Sequence, residues 1–476
     1  MLNRQSIVVG FLQAGSSGLA AVNVILTAVV LRPEAFGQYI YLVTVSSIVP
    51  LFAGLGMEHM LLMEASRERG LTWTYFSHAL LVRISSSLVL LAAIALLGWH
   101  FAGDLFMPVL LINAGLLLSA FPSPLFSALY RIEGRHMRPW LMAFAGPIGF
   151  FAYIAWARGN MLSLERVALA FFLSHVLVLL FFGFDMLRFA RLEWNFARLP
   201  RDIRRSIVFS VSQVFDYAFG RIDIVLVKLV AGVHAVGIYA VGQRIVSLLQ
   251  VLPSSFHIVE LPEFHRLSVE PAQLAARFLS LRRLLLELGL LLLGIVAINA
   301  GPIVSLFFGS DYNPAAGIAA CLALASLMMF VNYPYYMLAE AMRLLRERLM
   351  ARIITFIATV VLVGGGALFA GGIGAAVGIT LGQTLFLILL HRLTSSLNGG
   401  VRGMEDEFVI LAFTMAGGLG ALALVVRNSL DWTETTLATL SYLAGWSLGI
   451  RKVKRSPTFA MAADGIVYIR RLLTVS

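Results

Sequence analysis

The sequence predicts an all-α polytopic membrane protein with about 14 transmembrane helices. Of its 476 residues, 59% are hydrophobic and only 13% are charged, whereas a soluble chain carries roughly 25% charged residues. Apolar runs recur along the whole chain. A helix rises about 1.5 Å per residue, so about 20 apolar residues cross a hydrocarbon core of about 30 Å. These observations exclude an ordinary soluble domain.

The apolar runs define the predicted spans. In chain order these are 6–31, 36–58, 74–98, 104–130, 139–157, 164–187, 205–231, 236–259, 282–308, 315–340, 348–370, 374–394, 407–427 and 435–450. The last run is short, so a total of twelve or thirteen spans is also compatible with the sequence.

Basic residues alternate between the predicted loops. Most of the 36 Lys and Arg residues fall in every second loop, counted from the N-terminus, while the opposite loops hold only Arg32, Arg158, Arg166 and Arg427. Because cytoplasmic loops carry the excess of Lys and Arg, both termini are predicted to be cytoplasmic. The net charge of +11 is explained by these loops and indicates no nucleic-acid partner. The single cysteine, Cys321, excludes an internal disulfide and a multi-cysteine metal site.

The spans group into two similar halves. We predict an N-terminal six-helix lobe (1–188), a cytoplasmic linker (189–204), a C-terminal six-helix lobe (205–395), two extra transmembrane helices (396–450) and a basic cytoplasmic tail (451–476). Residues 33–39 (PEAFGQY) and 233–239 (VHAVGIY) align at an offset of 200, with Ala, Gly and Tyr coinciding. Six spans is an even number, so the lobes are predicted to be parallel repeats around a pseudo-twofold axis normal to the membrane.

The most polar span is residues 210–230 (SVSQVFDYAFGRIDIVLVKLV). Ser210, Gln213, Tyr217, Arg221 and Lys228 follow helical spacing and share one face, flanked by Asp216 and Asp223. Charges at this depth are costly and face a bundle interior or a watery cavity. A mainly cationic stripe of this kind indicates an anionic substrate. The alternative is a set of buried ion pairs that joins neighbouring helices.

Other spans carry weaker polar faces. The candidate residues are Gln13 and Asn23 in the first span, Arg83 in the third, and Gln243, Arg244, Ser247 and Gln250 in the eighth. Helix–helix hydrogen bonding is the alternative for the first span, and an ion pair is the alternative for Arg83. No nucleotide-binding loop, zinc motif or pair of outer-loop carboxylates occurs, so the sequence favours a transporter over an enzyme and predicts no cofactor.

Residues 31–68 (LRPEAFGQYIYLVTVSSIVPLFAGLGMEHMLLMEASRE) and 209–267 (FSVSQVFDYAFGRIDIVLVKLVAGVHAVGIYAVGQRIVSLLQVLPSSFHIVELPEFHRL) resemble the Wzx-like polysaccharide-unit flippases, or O-antigen and exopolysaccharide translocases. These belong to the multidrug/oligosaccharidyl-lipid/polysaccharide exporter superfamily. The resemblance covers roughly residues 1–395. It implies two lobes, alternating access, a bacterial inner membrane and an undecaprenyl-pyrophosphate-linked glycan for O-antigen, capsule or exopolysaccharide. The two C-terminal spans resemble the lipid II flippases.

The resemblance gives each polar residue an expected role. Pyrophosphate contacts are expected from Arg221, Lys228, Arg244 and Arg83. Glycan contacts are expected from Gln213, Tyr217, Gln243, Ser247, Gln250, Gln13 and Asn23. Asp216 or Asp223 is the expected coupling residue, binding a proton or a sodium ion, unless the membrane potential alone drives transport. Membrane lipid, a glycan polymerase and chain-length machinery are the implied partners.

Several other functions stay open at this stage. Within the same superfamily, the chain resembles a lipid II flippase or a multidrug/cation exporter, although a cation exporter would favour an acidic or aromatic cavity. A membrane glycan polymerase or ligase would require a larger outer loop than any predicted here. A structural subunit of a glycan-assembly complex would use the buried charges for folding alone.

Overall fold

The computed structural model describes residues 4–67, 69–120, 123–132, 138–157, 163–394 and 432–452. Secondary structure in these ranges consists of helices joined by short turns, and the described residues contain no strand. This confirms the predicted all-α class.

Fifteen α-helices lie within the described residues. They are α1 Arg4–Ser46, α2 Val49–Gly54, α3 Met57–Arg67, α4 Thr72–Phe101, α5 Phe106–Ala120, α6 Ser123–Ile132, α7 Arg138–Ala143, α8 Ala145–Ala157, α9 Leu164–Phe189, α10 Leu199–Ser247, α11 Val251–Leu267, α12 Pro271–Phe308, α13 Ala315–Ala341, α14 Leu345–Leu393 and α15 Trp432–Lys452.

Three of these helices contain two predicted spans each. The backbone of α1 leaves helical geometry at Arg32 (φ 61°, ψ 167°), and that of α10 does so at Gly232 (φ 85°, ψ 179°). In α14 the break lies at Ala370 and Gly371. Positive φ with extended ψ is a conformation that essentially only glycine adopts without strain, so Arg32 is held there at a cost of about 1–3 kcal/mol.

The second predicted span is broken into three helical pieces, α1, α2 and α3. Pro50 lies in the first turn of α2, where its missing N–H costs nothing. Leu55 (φ 45°) and Gly56 (φ 72°) then turn the chain into α3. Gly56 is required because a Cβ there would lie 2.4 Å from the carbonyl oxygen of Ser206. The break therefore brings α3 into close contact with the start of α10.

The described helices cover all or most of thirteen of the fourteen predicted spans. Eight helices among the described residues are long and apolar enough to cross a membrane, and several of them contain two spans or a bend. Predicted span 407–427 and most of the tail lie outside the described residues. The chain is thus a multi-pass membrane protein with about 14 helices, as predicted. The cytoplasmic position of the termini stays a prediction.

The 200-residue offset reappears in the structure. Arg32 and Gly232 are separated by that offset and share one backbone conformation. A Cβ on Gly37 would lie 2.0 Å from the carbonyl oxygen of Val233, and a Cβ on Gly237 would lie 2.0 Å from that of Pro33. Each glycine thus approaches the segment that contains the other, as expected if Gly37 and Gly237 are equivalent positions of two repeats.

Two compact units are formed, one by Met1–Lys228 with Gly232–Gly237 and the other by Leu229–Ala231 with Ile238–Ser476. The lobe boundaries at 188 and 205 stay predictions. The core of the first unit lies between α3, α4, α6 and α9. There Phe126 packs edge-on against Phe76, with ring centroids 5.5 Å apart, and also contacts Tyr130 and Phe182.

The core of the second unit joins α12, α13 and α14 through residues such as Phe278, Phe330 and Phe386. Helix α15 packs on α12. The indole of Trp446 donates to the carbonyl oxygen of Glu287 (3.0 Å), and the Tyr442 hydroxyl donates to that of Leu290. These two bonds fix α15, the fourteenth predicted span, against the second unit.

Candidate functional site

The polar stripe lies on the first part of α10, between Leu199 and the break at Gly232. All of it up to Lys228 belongs to the first unit. The helical spacing of Ser210, Gln213, Tyr217 and Arg221 places them on one face. The structure shows which of these side chains are held by protein groups.

The start of α10 is anchored by a buried pair. His78 Nδ1 on α4 lies 2.8 Å from Asp202 Oδ2, and both side chains are buried. The other ring nitrogen, Nε2, accepts from the Asn195 backbone N–H at 3.3 Å. Nδ1 therefore carries the proton and donates to Asp202. Asp202 is also in the first turn of α10, where the helix dipole favours a negative charge.

Arg83 is held in an ion pair. Its Nη1 donates to Glu58 Oε2 at 3.1 Å, and its Nη2 lies 3.4 Å from the carbonyl oxygen of Pro50. Only 3% of Arg83 is exposed. A Cβ on Gly54 would lie 3.1 Å from the guanidinium, so glycine leaves room for it. Of the two predicted alternatives for Arg83, the structure shows the ion pair.

Gln213 joins α10 to the same carboxylate. Its Nε2 donates to Glu58 Oε1 at 3.4 Å and lies 2.8 Å from His59 Nδ1. The Oε1 of Gln213 and the Nε of Arg83 are buried without a hydrogen-bond partner among the described residues. Glu58 is therefore the centre of a polar cluster on α3, α4 and α10.

Two further stripe residues bind backbone carbonyls of the broken second span. The Ser210 hydroxyl donates to Leu51 O at 3.1 Å. The Tyr217 hydroxyl donates to Thr44 O at 3.0 Å. Such bonds satisfy carbonyls that the breaks between α1, α2 and α3 leave without a helical partner.

The two stripe cations contact aromatic rings. The guanidinium of Arg221 lies 5.3 Å from the centroid of Tyr217, and Arg221 is exposed. The ammonium of Lys228 lies 5.0 Å from the centroid of Tyr41, and Lys228 is half-buried. A ring face attracts a cation without neutralising its charge. The described contacts of both cations are therefore with rings.

The predicted coupling residues are only partly described. Asp223 is 5% exposed, and its Oδ1 accepts from the Ile224 backbone N–H at 2.9 Å. The backbone of Asp216 lies in α10, and its side chain lies outside the described part of the chain. Within the described residues, no group of three or more His, Cys, Asp or Glu could hold a metal ion.

Of the two candidates in the first span, only the side chain of Asn23 is described. Asn23 is buried, and its Nδ2 donates to Pro147 O on α8 at 2.8 Å. This bond joins two helices, as the alternative for this span proposed. The side chain of Gln13 lies outside the described part of the chain.

The remaining candidates lie in the second unit. Gln243, Arg244 and Ser247 are half-buried at the end of α10, and Gln250 follows in the turn before α11. The Ser247 hydroxyl donates to the carbonyl oxygen of Arg244 at 2.8 Å, within the same helix.

The sequence analysis gave no role to Glu58 or to the His78–Asp202 pair. The available signal was the carboxylate of Glu58 at the end of the predicted second span, one span before the isolated Arg83. Opposite charges on neighbouring spans are expected to pair.

A sequence model of the family described as polysaccharide biosynthesis proteins matches residues 26–317. No curated protein sequence matches the chain. The solved structure of the lipid II flippase MurJ in an inward closed conformation is similar with a TM-score of 0.70 and 12% identity, over 94% of this chain and 100% of that chain.

Two further solved structures have the same fold. An inward-facing multidrug resistance MATE family transporter of the MOP superfamily is similar with a TM-score of 0.65 and 15% identity, over 81% of this chain and 96% of that one. A MOP superfamily transporter from Pyrococcus furiosus is similar with a TM-score of 0.56 and 14% identity, over 82% and 94%. At these identities the likeness establishes the fold.

Proposed function

The chain belongs to the family of polysaccharide biosynthesis proteins, and from that premise we propose that it is a lipid-linked glycan flippase. The substrate is an undecaprenyl-pyrophosphate-linked oligosaccharide, moved from the cytoplasmic to the periplasmic leaflet of a bacterial inner membrane. The glycan then enters a surface polysaccharide such as O-antigen, capsule or exopolysaccharide. The step is movement by alternating access, without covalent chemistry.

The observation that carries this proposal is the pair of cations on α10. Arg221 and Lys228 are seven residues apart, hence two helical turns and about 10 Å along one face. Each rests against a tyrosine ring. A pyrophosphate that crosses a low-dielectric region requires compensating positive charge. Arginine supplies forked donors to phosphate oxygens, and lysine supplies a point charge.

The contacts of these cations suit reversible binding. To bind an anion, Arg221 and Lys228 do not have to break a described salt bridge, because their described contacts are with rings. Arg83, in contrast, would have to leave Glu58 first. We therefore assign the primary pyrophosphate contacts to Arg221 and Lys228, and later contacts to Arg83 and Arg244.

Glycan binding is assigned to polar groups that can exchange partners. Gln213 and Tyr217 donate to protein acceptors in this structure, and sugar hydroxyls offer equivalent acceptors. Gln243, Ser247 and Gln250 are proposed as further glycan contacts, with Gln13 and Asn23 as additional candidates. Asp223, buried on the cationic helix, is the described candidate for coupling to a proton or sodium ion.

The test is glycan export in cells whose own flippase is deleted. We compare the wild-type chain with Arg221→Ala and Lys228→Ala at matched membrane levels. Arg346→Ala, which removes an exposed arginine of α14, is the control. We expect the wild type and the control to restore surface polysaccharide, and the two variants to accumulate lipid-linked units inside.

Two results would contradict the proposal. Normal export by both variants would mean that the cations only contribute to packing. Failure of the wild type with every glycan tested, combined with export of cationic drugs, would establish a multidrug exporter instead.

Lipid II transport is a second candidate because the likeness to the lipid II flippase covers 94% of this chain and the whole of that one. Cells depleted of their own lipid II flippase distinguish the two functions. Rescue of growth by this chain would favour lipid II, whereas rescue of surface polysaccharide alone would favour the glycan unit.

A further inference from the structure

The segment between α9 and α10 exposes large apolar side chains. Residues 190–195 are not helical, and a turn at 196–198 leads into α10. Leu192, Trp194 and Phe196 are 51%, 44% and 64% exposed. The rings of Trp194 and Phe196 stack, with centroids 5.9 Å apart and planes 3° from parallel. An exposed row of this size is costly in water.

The alternate residues of this segment are fixed to the protein. The Glu193 backbone N–H donates to the Ser77 hydroxyl at 2.8 Å, and the Asn195 backbone N–H donates to His78 Nε2 at 3.3 Å. His78 is itself held by Asp202. Glu193 and Asn195 are exposed like the three apolar residues. The two backbone bonds therefore hold the segment against α4 while its side chains stay outside.

The surroundings of the row are positively charged. Arg188, Arg191, Arg201, Arg204 and Arg205 are exposed on the two sides of the segment. None of these five makes an ion pair with a described carboxylate. Three described acidic groups lie nearby. Asp185 lies 3.6 Å from Arg138, Glu193 is exposed, and Asp202 is buried against His78.

The position of the segment specifies what covers it. The apolar span Leu164–Asp185 ends just before it, so it begins at the depth where hydrocarbon gives way to headgroups. Tryptophan and phenylalanine next to arginine are typical of segments that lie in this interface. Clusters of arginine beside a span attract anionic lipid.

We propose that residues 190–198 form an anionic-phospholipid surface, with Leu192, Trp194 and Phe196 inserted among the headgroups and the surrounding arginines on the phosphates. The bilayer and the Ser77–His78 contacts then hold the start of α10 from two sides. This surface goes beyond glycan transport and does not depend on which substrate the chain carries.

The test measures the depth of spin labels in the full chain, reconstituted in vesicles. In a Cys321→Ala background, single cysteines are introduced as Trp194→Cys, Phe196→Cys, Glu193→Cys and Asn195→Cys, so that each label leaves at least one aromatic ring in place. Leu88→Cys, in the middle of α4, is the reference for the bilayer interior. Vesicles contain phosphatidylcholine alone or with about 30 mol% phosphatidylglycerol.

We expect labels at 194 and 196 to become about threefold less accessible to a water-soluble nickel complex when phosphatidylglycerol is added. Labels at 193 and 195, the two polar positions of the segment, should change less, and the label at 88 should not respond to lipid charge. The double change Arg188→Gln and Arg191→Gln should abolish most of the response at 194 and 196. Quenching of the wild-type fluorescence by brominated phosphatidylglycerol, minus that of Trp194→Phe, gives a second measurement without labels.

Two outcomes would overturn the proposal. Equal accessibility at all four positions, unaffected by lipid charge, would mean that the segment faces water. Protection at 194 and 196 that is already complete in detergent would mean that protein covers them.

Discussion

Two segments of the same helix hold their polar groups in different ways. In the anchored segment of α10, residues 202–217, polar side chains bind protein groups: Asp202 binds His78, Gln213 binds Glu58, and Tyr217 binds Thr44 O. In the cationic segment, residues 221–228, Arg221 and Lys228 contact ring faces. The first arrangement fixes the helix, and the second leaves the two cations without a described salt bridge.

From this difference we expect the two segments of the polar stripe to serve different purposes. A buried polar or charged group that loses its hydrogen-bond partner is costly, because the group is left without compensation. A cation on a ring loses only about 0.5–2 kcal/mol when it moves away. Changes in the anchored segment should therefore reduce stability, and changes in the cationic segment should reduce transport at constant stability.

The largest effect is expected from breaking the buried pair. His78→Ala or Asp202→Ala leaves the other partner buried alone and should lower the free energy of unfolding by about 3–5 kcal/mol. Thermal unfolding in detergent and the level in membranes measure this. His234→Ala, at an exposed histidine, is the control. An unchanged melting temperature in His78→Ala would show that α10 is not anchored there.

A comparison of two glycines tests the close contact at the break. In Gly56→Ala the new Cβ would lie 2.4 Å from Ser206 O at a φ of 72°, which should cost about 2–3 kcal/mol. Gly220→Ala, with nothing within 4 Å of its Cβ, should be neutral or stabilise the helix by up to about 1 kcal/mol. Equal melting temperatures for the two variants would mean that α3 and α10 do not meet so closely.

A smaller effect is expected on transport from the ring under Lys228. Tyr41→Leu removes the face that positions the ammonium and should raise the apparent KM for the lipid-linked glycan about fivefold, with little change in stability. Tyr41→Phe keeps the face and should stay within about twofold of the wild type. Equal apparent KM values for the leucine and phenylalanine variants would show that the ring of Tyr41 does not contribute to substrate binding.

The smallest effect is expected from one hydrogen bond of the anchored segment. Tyr217→Phe loses the bond to Thr44 O and keeps the ring under Arg221, so unfolding should become easier by about 1 kcal/mol. Tyr217→Leu also removes the ring. It should lower the rate of transport more strongly than it lowers the free energy of unfolding. Equal unfolding free energies and equal transport rates for the two variants would mean that the ring of Tyr217 has no separate role in transport.

Much of the fold follows from patterns along the chain. Apolar runs of bilayer length predicted the helices, and the single polar face of residues 210–230 identified the helix that carries the cations. The alignment of 33–39 with 233–239 predicted the equivalence that Gly37 and Gly237 show in their reciprocal contacts. The sequence predicts these features because the thickness of a bilayer sets the length of a spanning helix. A backbone that is exposed to lipid must also have all of its hydrogen bonds satisfied.

The break of the second span was harder to predict from the sequence. Pro50 is a local signal for a change in the helix, whereas the close approach of Ser206 to Gly56 is a tertiary contact. That approach joins residues 150 positions apart in the chain, and no local propensity encodes it. The tertiary structure alone therefore showed that the run 36–58 is several short helices.

The sequence by itself determined a multi-pass all-helical membrane protein with one strongly cationic helix. Only the tertiary structure decided which charges are held, since it placed Glu58 against Arg83 and Gln213, and His78 against Asp202. The physical reason is that charge and hydropathy are properties of residues in the chain. Pairing depends on which faces of distant helices meet, and packing alone fixes that register.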